Sequence, residues 1–307
     1  VRIAVISDTR YPTSRDYPGH GLGKANLMIA EGLAARGHEV ALFGGPGSDF
    51  EHGETFTGES EMTLGRKAAL WCGDAAIDGG HEHWYQRVAP GEPVLNLSHD
   101  RERHPGGHAV YPSKAHSAFW GGGGTIIPYG IEVGDWERQT KIDYLLWLGA
   151  VDIPHKGAAE AMRVARAAGK MLVLAGTGKA MVPGFIGPVS GEGKWKLLAG
   201  ARALLATGQI ESAGLVALEA ASVGTPTLCF DLGGLPEYVA DGVSGFICQD
   251  EAGMAAAIGR LDDLPGPEAC KAWVQAERSA DRMIDQWEAA VRAVSGQQSA
   301  VSIMAAR

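Results

Sequence analysis

Short apolar runs, separated by glycine-bearing loops and helical stripes, set the rhythm of this 307-residue chain. Val1–Ser7 (VRIAVIS) is a β-branched run ending in polar and turn-forming residues, which predicts a buried strand. A loop rich in Pro and Gly, Tyr11–Gly23, follows. Lys24–Arg36 then places Leu27, Ala30, Leu33 and Ala34 on one helical stripe, with Gly37 as the C-terminal stop. Val40–Phe43 is the next apolar run. Strand, glycine loop, helix and strand make a βαβ unit, whose strands lie parallel. The same reading predicts strands at Ala75–Ile77, Val94–Leu97, Ala109–Tyr111 and Thr125–Ile127. Between the last two it predicts a short helix, capped by Ser113.

Around Glu132–Lys141 (EVGDWERQTK) the chain turns polar and loses its periodicity, which predicts a domain boundary. The run Gly121–Gly124 is too short to link domains. Beyond the boundary the same grammar restarts: strand Tyr144–Leu148, helix Ala158–Ala168, strand Met171–Ala175, strand Leu204–Ala206, helix Leu215–Val223, then strands Thr227–Phe230 and Gly245–Ile247. The halves share architecture without sharing sequence, so there is no internal repeat. Lys271–Val294 reads as one or two closing helices, with a frayed tail beyond Ser295.

Composition narrows the class. With 45% apolar residues the chain can bury one large core or two ordinary ones. Its 44 glycines show no fixed period, and aromatics make up only 7%. Those features suit an α/β enzyme with many tight strand-to-helix turns and exclude a collagen-like chain. The formal charge is −9: residues 1–140 hold 12 Lys+Arg against 18 Asp+Glu, or −6, and the remaining −3 lies beyond. Neither half offers the basic surface that nucleic acid or anionic lipid requires, so both are set aside as partners. Cys72, Cys229, Cys248 and Cys270 are scattered, with no CxxC pair, and read as reduced thiols. No run approaches the ~20 apolar residues of a membrane span, and no signal peptide is visible. A cytoplasmic protein is the expectation.

The segment with most chemistry is Glu211–Gly224 (ESAGLVALEAASVG). Glu211 falls in a loop and Glu219 further along, in a helix beginning near Gly214 and Leu215. The exposed N–H groups of a helix N-terminus hold a diphosphate well. A loop carboxylate beside it can grip sugar hydroxyls while a helical one grips a ribose. Alternatively Glu219 is an ordinary surface residue, but its helix reads apolar nearly all round, and a buried Glu needs a partner.

This segment resembles the E-x7-E signature of retaining GT-B glycosyltransferases, particularly family 4. Other stretches agree in order. Gly233-Gly234-Leu235-Pro236-Glu237 resembles that family's GG-[IV]-PE turn, and Asp241–Phe246 (DGVSGF) its D-G-x-x-G-[FL] strand entry. Trp147-Leu148-Gly149 with His155-Lys156-Gly157 is similar to its strand–GR–x4–KG–helix element. Leu174-Ala175-Gly176 and Phe185–Ser190 (FIGPVS) are similar to its LVLAG strand and its loop beside the base. Ile127–Ile131 (IPYGI) resembles its IPNGVD hinge, and Gly37–Val40 its GHEV strand start. The likeness covers almost the whole chain, and small antibiotic-oligosaccharide pathway glycosyltransferases share the size and the HKG form.

The resemblance implies an α/β chain of GT-B fold, with two Rossmann-like βαβ domains whose parallel sheets face each other across a cleft. Residues 1–135 would form the acceptor-side domain and 136–275 the donor domain, and 276–307 a helix crossing back to the first, with a tail. It implies a retaining, metal-independent transfer from a nucleotide-diphosphate sugar, UDP or GDP first among the carriers, to a soluble acceptor. Glu219 would hold the ribose, Glu211 the transferred sugar, Lys156 the diphosphate, the Pro188–Val189 backbone the base, and Gly214–Leu215 the helix N-terminus. The glycine loop with Gly19, Gly21 and Gly23 would approach from the first domain.

His99 matches a position where the family has an active-site histidine near the sugar; a strand-end histidine bonded to backbone is the alternative. The family's arginine after Gly149 is replaced by Ala150, which leaves Lys179, Lys194 and Lys196 as substitute cations or the donor site weakened. No cofactor and no metal are expected: His81-Glu82-His83 lacks the spacing of a zinc helix, and no DxD-like clamp is present. A non-catalytic nucleotide-sugar binder and a nucleotide-sugar epimerase of the same fold remain as alternatives. A Rossmann oxidoreductase is disfavoured, because no acidic residue closes Val40–Phe43.

Overall fold

A computed structural model describes residues 1–14, 21–71, 73–81, 83–99, 108–134, 141–179 and 182–305, the last nine as helix backbone only. Gly19, Cys72, Glu82 and the polar loop Asp100–His104 lie outside the described residues. The chain divides into two compact units: Val1–Tyr129 with Ala280–Arg307, and Gly130–Ser279.

Unit 1 is built on seven strands: β1 (Arg2–Ile6), β2 (Glu39–Gly44), β3 (Glu54–Thr57), β4 (Ala75–Asp78), β5 (Val94–Leu97), β6 (His108–Tyr111) and β7 (Thr125–Ile126). They are ordered β3-β2-β1-β4-β5-β6-β7, and every pairing is parallel. Ile3, Ala4, Val5 and Ile6 of β1 are all buried, as a central strand covered on both faces demands. The helices are α1 (Gly21–Ala35), α2 (Glu61–Trp71), α3 (Tyr85–Val88) and α4 (Lys114–Phe119). Ser113 caps α4 as expected, its side chain accepting from the His116 N–H.

Three differences from the sequence reading stand out in this unit. Helix α1 starts at Gly21, three positions before Lys24, so Gly21 and Gly23 lie in its first turn and not in a free loop. Strand β3 was not expected: it is a short, polar edge strand, held by Phe56 stacked on Phe43 at 4.8 Å. Helix α2 was not expected either, because it buries only Leu64, Gly65 and Ala68 and so shows no full apolar stripe.

Unit 2 holds β8 (Tyr144–Leu148), α5 (Ala158–Ala167), β9 (Met171–Ala175), α6 (Gly191–Gly200), β10 (Ala203–Ala206), α7 (Leu215–Ser222), β11 (Thr227–Phe230), β12 (Gly245–Cys248), α8 (Glu251–Ile258) and α9 (Pro267–Glu277). Its five parallel strands run β12-β11-β10-β8-β9. Trp147, Leu174, Leu205, Leu228 and Met254 sit in its core. Burial pushes the Cys248 and Cys270 thiols up to about 11, which suits buried, unreactive cysteines.

The last helix, α10 (Ala280–Ala305), belongs to unit 1. It lays Met283, Ile284, Trp287 and Val291 inward and meets α1, β4 and β5. The helix continues past Ser295, where the sequence reading expected a frayed tail. No helix among the described residues is long and apolar enough to cross a membrane.

Candidate functional site

In a parallel α/β sheet, ligands bind outside the carboxyl ends of the strands, at the point where the strand order reverses. In unit 2 that point lies between β8 and β10. The loop after β8 ends in a 3-10 turn, Pro154–Lys156, closed by Gly157 at φ 83°. A Cβ at Gly157 would lie 2.1 Å from the Thr207 carbonyl oxygen, so the loops after β8 and β10 approach as only glycine permits. The Thr207 hydroxyl donates to the Gly157 carbonyl at 2.6 Å, and the Gln209 N–H to the His155 carbonyl at 2.9 Å.

This bracing sets the first pair of charges. Lys156 Nζ donates to Glu211 Oε1 at 2.9 Å and Oε2 at 3.1 Å, across 55 positions of sequence. Both side chains keep contact with solvent, at 33% and 23% exposure. Glu211 is held from behind as well, its carbonyl accepting from the Gly234 N–H at 2.8 Å. Lys156 therefore precedes helix α5 instead of occupying its first turn.

Helix α7 starts immediately after this loop. Gly214 occupies its N-cap without any side-chain hydrogen bond, and Leu215 is its first residue. Gly214 itself thus brings no side chain to the first-turn N–H groups, at the positive end of the helix that attracts an anion. Four residues on, Glu219 leaves the otherwise apolar helix and meets Lys194 of α6, with Nζ 2.6 Å from its carboxylate. The two side chains are 13% and 16% exposed. The partner that a Glu in an apolar helix requires is therefore Lys194.

Pro188 and Val189 lie between β9 and α6. The segment before them runs along β9, where the Ile186 N–H donates to the Leu174 carbonyl and the Gly176 N–H to the Gly187 carbonyl, both at 2.9 Å. Pro188 is exposed and Val189 half-buried. Of the three cations considered beside Ala150, Lys196 pairs with Glu192 on the same helix, and Lys179 makes a 3.4 Å backbone contact to Asp152. Only Lys194 of the three reaches the Glu211–Gly224 segment in the described contacts.

Unit 1 carries a second cluster where its own strand order reverses, between β1 and β4. Asp8, just past β1, is 1% exposed and accepts from the Arg10 backbone N–H and from Arg10 Nε, both at 2.9 Å. His81, past β4, lies 3.3 Å from Asp8 and also contacts Arg10. His99, past β5, meets His81 Nδ1 through Nε2 at 3.1 Å and the Leu97 carbonyl through Nδ1 at 3.3 Å. Burial alone would raise the Asp8 pKa, but hydrogen bonds from His81 and Arg10 outweigh it and hold the carboxyl well below the usual range. His83, the other half of the His-Glu-His motif, points Nδ1 toward Asp78 at 3.9 Å. Among the described residues no group of three or more His, Cys, Asp and Glu side chains is arranged to hold a metal ion.

The structure thus joins Lys156, Glu211, Gly214 and Leu215 beyond the carboxyl ends of β8 and β10, with Glu219 further along the same helix. His99 stands in unit 1 beside Asp8 and Arg10, which the sequence reading passed over. Their one signal was a polar pair directly after the first strand.

Residues 182–280 match the family described as Glycosyl transferases group 1. Over 115 residues the chain is 36% identical to a D-inositol 3-phosphate glycosyltransferase of Streptomyces griseus, which covers 37% of this chain and 24% of that one. Over 166 residues it is 31% identical to a glycogen synthase of Mycobacterium tuberculosis, covering 46% of this chain and 40% of that one. The chain therefore spans about a quarter of the length of the first curated relatives it matches. Among solved structures, AviGT4, a glycosyltransferase involved in avilamycin A biosynthesis, superposes with a TM-score of 0.76 at 26% identity, covering 96% of this chain and 98% of that one. Anabaena Alr3699/HepE, solved with UDP and glucose, superposes at 0.68 with 16% identity over 93% and 98% of the two chains, a likeness of fold alone. Residues 182–280 are accordingly a glycosyl transferases group 1 domain, carried in a chain of the GT-B fold.

Proposed function

We propose that the chain is a retaining glycosyltransferase that moves a sugar from a nucleoside diphosphate to an acceptor hydroxyl. One observation carries the reading: the Lys156–Glu211 pair stands at the strand-order reversal of unit 2, in the loops that lead to the α7 N-terminus, whose N-cap is Gly214. A diphosphate brings negative charge to that place, and a lysine with the helical N–H groups neutralises it as the glycosidic bond breaks. Glu211 then exchanges the ammonium for hydroxyls of the transferred sugar. Glu219 accepts from the ribose, and the Pro188–Val189 backbone faces the base. Unit 1 is assigned the acceptor, with His99 serving the transferred sugar and Gly19, Gly21 and Gly23 the donor's phosphate or sugar.

In the transfer the bond from the anomeric carbon to the β-phosphate oxygen breaks through an oxocarbenium-like state. The acceptor oxygen attacks from the same face, and its proton passes to the departing phosphate. No side chain is assigned as nucleophile. Lysine and helix dipole, and not a metal ion, are proposed to carry the leaving group's charge, so chelation by EDTA leaves the rate unchanged.

Calorimetric titration with UDP, GDP, ADP and TDP tests the donor site. One carrier should bind, and Lys156→Ala and Glu219→Ala should each weaken it about tenfold or more, as loss of a charged hydrogen bond does. If no carrier binds the wild-type protein, the reading is wrong. A second reading rests on Ala150, which removes one cation from the loop after β8: nucleotide-sugar binding without transfer. Binding with no turnover across a broad acceptor panel would favour it.

A further inference from the structure

We infer that Lys194 is a positioning residue for nucleoside recognition: it aims the Glu219 carboxylate at the ribose and so sets the preference for ribo- over deoxyribonucleotides. The inference rests on the donor-site reading above and adds to it a residue on a different helix.

Glu219 projects from α7, whose other residues are Leu, Val, Ala and Ser, and little of its side chain reaches water. A carboxylate in such a place needs a charge partner, and it needs its direction fixed if it is to recognise a pair of hydroxyls. Lys194 supplies both with Nζ at 2.6 Å. An ionised carboxylate offers about four lone-pair sites. The ammonium stands 2.6 Å from both oxygens and donates to Oε1, while the buried Oε2 accepts no hydrogen bond, so acceptor capacity remains for two donors, which is what the 2′- and 3′-hydroxyls of a ribose present.

The position of Lys194 in the chain strengthens the case. It lies in the first turns of α6, its N–H donating to the Ser190 carbonyl at 3.2 Å, directly after the Pro188–Val189 segment proposed to face the base. Helix α6 thus ties the base segment to the carboxylate on α7, and base and ribose are read from one connected element. Lys156 has no such link to Glu219, because its ammonium is engaged by Glu211. The ammonium of Lys196 faces Glu192 on its own helix instead.

The test compares the ribo and 2′-deoxy forms of whichever nucleoside diphosphate binds, by calorimetry, in wild type, Glu219→Gln, Lys194→Met and Lys194→Arg. Melting curves establish that each variant is folded. The wild type should prefer the ribo form about tenfold, the worth of one hydrogen bond to a charged acceptor. Lys194→Met should shrink that preference to about twofold, chiefly by weakening the ribo form, and Lys194→Arg should restore most of it. A lysine that served only stability would lower the melting temperature and leave the ratio intact. If Glu219→Gln loses the preference while Lys194→Met keeps it, the inference is overturned and the donor site stands. The inference is likewise overturned if Lys194→Met weakens both forms equally, since the lysine then acts on the phosphates. If the wild type shows no preference and Glu219→Gln changes nothing, the assignment of Glu219 to the ribose fails first.

Discussion

Gly157 shows what a single position can carry. Its φ of 83° and the 2.1 Å approach of a would-be Cβ to the Thr207 carbonyl exclude any other residue without movement of the loop after β10. Gly157→Ala should cost about 2 kcal/mol or more, from left-handed strain plus the displaced contact. It should also weaken nucleotide binding, since Lys156 and Glu211 are placed by the loops that Gly157 joins. Urea denaturation with a parallel nucleotide titration measures both; unchanged stability would mean that the two loops are not braced here. The glycine itself was legible as part of a His-Lys-Gly motif, but its reason was not, because Thr207 lies 50 positions away. Lys194 makes the same point more sharply. That Glu219 needs a partner follows from the apolar residues around it, whereas which lysine answers depends on how α6 packs on α7, and no local pattern encodes that.

At the scale of elements, the strands and helices that the sequence displayed clearly are those with a complete apolar signature. The runs in β1, β2, β5, β8 and β11 are buried nearly throughout, so every residue contributes to the pattern. Elements that serve an edge escaped notice, for a physical reason: β3 has only half-buried side chains at Thr55 and Phe56, and α2 needs few apolar contacts because one face stays in solvent. Capping was readable where a side chain does the capping. Ser113 accepts from the His116 N–H at 3.0 Å, so Ser113→Ala should destabilise the protein by about 1 kcal/mol, with fraying confined to α4. Amide exchange in residues 114–119 measures it, and exchange unchanged there would show that α4 is held by packing alone. The run that follows, Gly121–Gly124, has positive φ at all four positions, between 71° and 90°, a backbone course for which glycine is the ordinary choice. Its reading as something other than a domain linker agrees with that tight turn out of α4.

For the whole molecule, the restart of strand–helix grammar beyond Glu132–Lys141 announced two domains, and the structure divides at Tyr129/Gly130 and again at Ser279/Ala280. Unit 1 is therefore made of two separated stretches of chain, and α10 completes it. That helix is fixed by Trp287, only 1% exposed, and by Ile284, whose side chain fills the space above Gly32 of α1. Arg36, just past α1, adds an ion pair to Asp285 at 2.6 Å, and His38 meets Glu288 at 3.2 Å. The pair to the exposed Asp285 contributes little, whereas removing a buried indole leaves a cavity worth about 3–5 kcal/mol. Trp287→Ala should therefore lower the stability of unit 1 by about that amount. The groups assigned to base, ribose and diphosphate, Pro188–Val189, Glu219 and Lys156, all lie in unit 2, so nucleotide affinity below the transition should stay within about twofold of wild type, well under the tenfold that 1.4 kcal/mol represents. A bound nucleotide at a hundred times its Kd should still stabilise the unit that holds it by about 2.7 kcal/mol. Hydrogen exchange followed segment by segment separates the two effects: Trp287→Ala should speed exchange in β1, β4, β5 and α1, while added nucleotide should slow it in the loops after β8 and β10 and in α7. Loss of nucleotide binding in the folded variant would overturn the assignment of base, ribose and diphosphate to residues 130–279 and make unit 1 essential to nucleotide affinity.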